Sequence, residues 1–108
     1  MEKTLREVCK EISVSRRTIQ GYEKAGLVRS SGRNARGYLL YDQVAQERIE
    51  KIRMYQEFGF PIKEIGKYID ADSCVLKPVL QTRLDKLKEE RARLDRIILK
   101  VEKMIWDM

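Results

Sequence analysis

The chain has 108 residues, 43% hydrophobic and 37% charged, with a formal net charge of +6 and a pI near 9.4. That length excludes two large domains, and the apolar fraction excludes disorder throughout. The lack of histidine removes the commonest general base and zinc ligand, leaving no catalytic constellation, while the basic balance points to a polyanionic partner.

The first residues, Met1-Glu2-Lys3-Thr4-Leu5, contain no apolar stretch of signal-peptide length, and no run approaches the roughly 20 apolar residues of a membrane span. Cys9 and Cys74 lie far apart, so the chain reads as a soluble, cytoplasmic protein with reduced thiols. No internal repeat or low-complexity tract interrupts it. Residues 10–36 hold seven Lys or Arg against two Asp or Glu, so most of the basic excess sits in one early quarter.

Thr4 followed three residues later by Glu7 is a capping-box pattern, and Leu5, Val8, Cys9 and Ile12 share one helical face. Ser13-Val14-Ser15 then breaks the period, and Ser15 suits the cap of a second helix over about 16–24, with Ile19 and Tyr22 inward and Gly26 as a left-handed stop. A helix-turn-helix needs a small residue at the helix crossing, another at the turn, and apolar residues on either side. Val8, Cys9, Ile12, Ser13, Val14, Ile19 and Tyr22 satisfy that spacing, which a plain αα-corner without a DNA role would also satisfy.

Leu27-Val28-Arg29 and Tyr38-Leu39-Leu40-Tyr41 read as two short strands around a Gly-containing tip that carries Arg33 and Arg36. Such a wing can lie against a phosphate backbone, although a solvated loop also carries arginines. Asp42 is a natural cap for a third helix with the apolar stripe Val44, Ile49, Ile52, Tyr55 and Phe58, ended by Gly59. Pro61 fits the first turn of a fourth helix whose inward residues are Ile62, Ile65 and Ile69.

From residue 74 onward there is no glycine. Leu80, Leu87, Leu94, Val101 and Met108 recur every seven residues, and Leu84, Arg91, Ile98 and Ile105 form a second line at the alternating four-and-three spacing of a two-helix seam. Pro78 suits a first turn, so the spacing predicts a helix over 78–108 that needs a partner, most simply its own copy. Arg91 is the polar member of the seam, a register device or an arginine that snorkels to solvent. The predicted division is a DNA-binding domain over 1–73 and a dimerisation helix over 74–108.

Together, Val14-Ser15-Arg16-Arg17-Thr18-Ile19, Tyr22-Glu23-Lys24-Ala25-Gly26-Leu27-Val28, Gly37-Tyr38-Leu39-Leu40-Tyr41 and Phe58-Gly59-Phe60-Pro61-Ile62-Lys63-Glu64-Ile65 resemble successive signatures of the MerR family of bacterial transcription regulators. The resemblance covers about 3–72, and the terminal coil continues it. It implies a mainly α fold: a winged helix-turn-helix, a second helix pair, and a long C-terminal helix forming an antiparallel coiled-coil homodimer. By the same resemblance, such a dimer binds a pseudo-palindromic operator in double-stranded DNA and distorts it so that RNA polymerase can engage the promoter.

The resemblance places DNA contacts at Arg16, Arg17 and Thr18 on the reading helix and at Arg33, Arg36 and Tyr38 on the wing. Ser15, Tyr22 and Lys63 are further candidates for phosphate contacts. Gln20 and Gly21 stand where the family usually has an arginine and an aromatic, and Leu39 where it usually has an arginine. Gln20 could read an adenine edge instead. Effector domains of the family follow the coil, so the chain reads as a short member without one. Cys74 lacks the second thiolate that a metal site would require, and no cofactor is expected. Two other readings of the same residues are an architectural or excisionase-like DNA-bending protein and a coil that pairs with a different protein.

Overall fold

The computed structural model describes all residues, Met1–Met108, in two compact units, Met1–Asp70 and Ala71–Met108. The first unit contains β1 (Lys3–Thr4), α1 (Leu5–Ile12), α2 (Arg16–Lys24), β2 (Gly32–Arg33), β3 (Leu39–Tyr41), α3 (Gln43–Glu57) and α4 (Ile62–Tyr68). The second is essentially one helix, α5 (Ser73–Trp106).

α1 starts with the expected capping box: the Glu7 amide donates to Thr4 Oγ1 at 3.3 Å, and the Thr4 amide donates to Glu7 Oε1 at 3.0 Å. The Thr4 amide and the Thr4 hydroxyl, both donating to Glu7 Oε1 at 3.0 Å, hold the Glu7 carboxyl below its ordinary pKa. Ser13 ends α1 in the left-handed region at φ 60°, a conformation in which a small side chain limits the strain. Two residues later Ser15 caps α2, its Oγ accepting the Thr18 amide at 3.0 Å. α2 closes at Gly26, with φ 75°, where the Leu27 amide reaches back to the Tyr22 carbonyl and the Gly26 amide to Glu23.

The sheet differs from the predicted hairpin. Its antiparallel order is β1-β3-β2, with Lys3 opposite Tyr41 and Gly32 opposite Leu40, so the start of the chain supplies a strand that periodicity did not reveal. Leu27-Val28-Arg29 is not a strand. Leu27 and Val28 are buried instead in the connection that follows α2, and the outer strand begins later, at Gly32. Their apolar, branched side chains suit a core position as well as a strand, which is why the sequence misleads there.

Asp42 caps α3 as expected, its Oδ1 accepting the Ala45 amide at 2.8 Å. Ile49, Ile52 and Tyr55 face the core, whereas Val44, expected inward, is 72% exposed and Ala45 and Gln46 take its place. The burial of Gln46 is compensated because its Nε2 donates to the carbonyls of Tyr41 and Met1. α3 and α4 are joined by edge-on rings, Tyr55 against Phe58 and Phe60, and Phe60 against Tyr68, with centroids about 6 Å apart. Pro61 caps α4 rather than entering its first turn. Arg48 fastens the far side of this unit: it donates to the Leu27 carbonyl and, with both terminal nitrogens, to the Asp70 carboxylate at 2.8 and 2.9 Å.

α5 begins at Ser73, five residues before the predicted start, so Pro78 lies inside the helix. Thirty-four residues give a helix of roughly 50 Å at 1.5 Å per residue, and none of them is buried.

Candidate nucleic-acid interface

α2 has two opposed faces. Ile19 and Tyr22 are wholly buried, while Arg16, Arg17, Gln20 and Lys24 are exposed. The helix is therefore anchored by its apolar side and offers a cationic and amide-bearing side to solvent, as a recognition helix must. Thr18 is half-buried and its hydroxyl lies 2.8 Å from that of Ser15, so both hydroxyls take part in starting the helix.

Tyr22 is a correction. Its ring belongs to the core and its hydroxyl donates to Gln56 Oε1 at 2.5 Å, with burial pushing its pKa upward. A side chain with no exposed surface does not contact a phosphate; it fixes α2 against α3. Lys24, by contrast, is exposed and follows Arg17 by seven residues, a spacing that places both on one helical face and adds a cation beyond those assigned to DNA from the sequence.

The wing tip is held by one asparagine. Asn34 Oδ1 accepts the amides of Arg36 and Tyr38, each at 3.0 Å, and Gly37 turns the chain at φ 81°. Arg33 Nη1 donates to the Gly37 carbonyl at 2.6 Å, stiffening the same turn. Arg36 is exposed and Tyr38 is 58% exposed, so this tip presents a cation and an aromatic hydroxyl together. β3 connects wing and helix, because the Tyr41 hydroxyl donates to the Glu23 carboxylate of α2. Lys63 is exposed in the first turn of α4, outside both groups.

Along α5, Leu84, Leu87, Leu94, Ile98, Val101 and Ile105 are between 38% and 66% exposed, and Leu80 is half-buried. Arg91 is exposed among them. Ile97 and Met104, 42% and 65% exposed, add apolar surface that the two heptad lines did not include.

A helix bearing outward arginines, set on a first helix through a tight turn and flanked by a cationic two-strand wing, defines the class of winged helix-turn-helix proteins. Residues 3–72 match the family described as MerR HTH family regulatory protein, and residues 46–104 match that described as MerR, DNA binding. The chain belongs to the MerR family, a family of transcription regulators rather than enzymes.

The HTH-type transcriptional activator mta of Bacillus subtilis is 28% identical over 105 residues, 97% of this chain and 41% of the relative. The crystal structure of its N-terminus superposes with a TM-score of 0.73 at 27% identity, covering 95% of this chain and 97% of that one. The mercuric resistance operon regulatory protein of Bacillus cereus is 27% identical over 94% of this chain and 79% of its own length. HiNmlR, a MerR family regulator lacking the sensor domain and crystallised bound to promoter DNA, shares the fold with a TM-score of 0.73 at 20% identity, covering 91% of this chain and 79% of that one. The chain thus spans about two fifths of the Bacillus subtilis activator.

Proposed function

We propose that the chain is a sequence-specific, double-stranded DNA-binding transcription regulator that works as a homodimer, acting in the bacterial cytoplasm on nucleoid DNA. The observation that carries this reading is the division of α2, with Ile19 and Tyr22 fully buried and Arg16, Arg17, Gln20 and Lys24 exposed opposite them. Arg16, Arg17 and Gln20 serve as base and groove contacts. Arg33, Arg36 and Tyr38 serve as backbone contacts from the wing, and Ser15, Thr18 and Lys63 as secondary ones. HiNmlR supports the reading, since a relative of this fold without a sensor domain occupies promoter DNA.

The uncovered stripe of α5 supports the dimer: Leu84, Leu87, Leu94, Ile98, Val101 and Ile105 are exposed, Leu80 keeps part of its surface accessible, and no residue of the helix is fully buried. Two such helices, packed antiparallel, hide that stripe and hold two reading helices at a fixed separation. Contacts at two half-sites then stabilise a bent, untwisted duplex, which sets the promoter geometry met by RNA polymerase.

Selection of bound sites from random duplex DNA tests the proposal. Enrichment of a pseudo-palindrome, retained over random duplex as salt is raised, is the expected result. Equal affinity for all sequences overturns it, as does a monomer at micromolar concentration. Stable pairing of α5 only with a different protein would also overturn the homodimer.

A further inference from the structure

The second turn of α2 contains a glycine that nothing within the chain requires. Gly21 is not among the glycines with positive φ, so its backbone conformation suits any residue. A Cβ placed there meets no heavy atom within 4 Å beyond the helix's own backbone and its chain neighbours. Gly26, which ends the same helix, needs its left-handed φ of 75°, and at Gly66 an added Cβ would lie 3.4 Å from Leu27 Cδ2. Neither reason applies at Gly21.

Glycine within a helix is unfavourable relative to alanine, because it has more backbone freedom to lose on folding. Gly21 therefore weakens α2 without relieving any internal contact. Its surroundings supply another reason. Arg17 lies one turn before it, Lys24 one turn after and Gln20 beside it, all exposed, and the buried Ile19 and Tyr22 fix the opposite side. The missing side chain leaves a notch in the cationic face, and a backbone without a Cβ is what close approach of an external strand requires.

We propose that Gly21 is a specificity-determining residue: its notch seats a sugar–phosphate strand of the duplex against the α2 backbone. That seating brings Arg17 and Gln20 within reach of base edges in the groove beside it. The inference rests on the DNA-binding reading above. It also assigns the readout to a closer helix position than a bulky side chain at 21 would allow.

The test uses the full chain with Gly21→Ala and Gly21→Leu. Binding is measured to a short duplex enriched from a random pool by the wild-type protein, alongside thermal unfolding. Both replacements favour the helix, so the melting temperature rises by several degrees for each. Affinity falls roughly tenfold for Gly21→Ala and further for Gly21→Leu, following side-chain volume. Wild-type affinity in Gly21→Ala overturns the inference alone. A lowered melting temperature also overturns it, since the position would then not be open. Failure of the wild-type chain to enrich any duplex overturns the DNA-binding reading as well.

Discussion

The Tyr41 hydroxyl donates to the Glu23 carboxylate, joining the central strand of the sheet to the recognition helix across a sequence separation of 18 residues. Tyr41 is fully buried, so this bond holds two groups of candidate DNA contacts in one arrangement. Tyr41→Phe keeps the ring and removes the donor, leaving a half-buried carboxylate short of a partner. The expected loss is about 1–3 kcal/mol of unfolding free energy, measured by urea titration. Specific DNA affinity should fall with it, as the wing loosens from α2.

The same bond has a pH signature. Burial, then the Glu23 hydrogen bond and charge, pushes the Tyr41 hydroxyl well above its ordinary pKa. The folded state therefore holds the neutral phenol, and this contribution is complete below about pH 10, where unfolded tyrosine ionises, and declines as pH rises further. Unfolding free energy measured from pH 8 to 11 should decline above 10. Tyr41→Phe should flatten the decline without abolishing it, since burial raises Tyr22 and Tyr55 in the same direction.

At the acid end Asp70 behaves oppositely. Its hydrogen bonds from Arg48 hold the carboxyl below its usual value, so the pair contributes stability above about pH 4 and loses it as pH falls through the lowered pKa. Because the Asp70 side chain is 72% exposed, Asp70→Asn should cost less than about 1 kcal/mol at neutral pH. It should also make the acid limb of the stability profile shallower. An unchanged acid limb would remove Asp70 from the account.

Arg17 and Arg36, both assigned to DNA, should separate by kind of effect. Arg17→Ala on the outward face of α2 should weaken specific binding by roughly 1–3 kcal/mol and relax the preferred sequence. Arg36→Ala at the wing tip should weaken all sequences more evenly and lower the salt slope by about 1. Competition binding at several salt concentrations distinguishes them, and equal, trivial losses would refute both assignments.

Leu94 lies at the centre of the α5 stripe and is 51% exposed. Leu94→Asp places a charge in the proposed seam, so sedimentation should shift from dimer to monomer while the Met1–Asp70 unit keeps its thermal transition. A dimer that survives this change would mean that α5 pairs through another face.

Much of the local architecture is legible without coordinates because its causes are local. Thr4 with Glu7, Ser15, Gly26 and Asp42 end or start helices through bonds made within a few residues, and α2 occupies its predicted bounds. The heptad stripe is likewise a property of spacing. Strand pairing is not: β1 exists because Lys3 and Thr4 meet Tyr41 and Leu40, a contact between distant segments that leaves no periodic trace in two residues. Leu27 and Val28 carry strand-like side chains into a buried connection for the same reason.

By itself, then, the sequence determined where the chain turns helical, where its basic charge collects and where the apolar stripe of the last helix runs, since capping, charge and period depend on neighbours along the chain. The tertiary structure alone decided which of those residues face outward. Tyr22 and Arg17 sit on the same helix, yet packing against α3 removes one from solvent and leaves the other exposed. Gly21 follows the same logic, because only the packed structure shows that the space beside it is empty of the chain's own atoms.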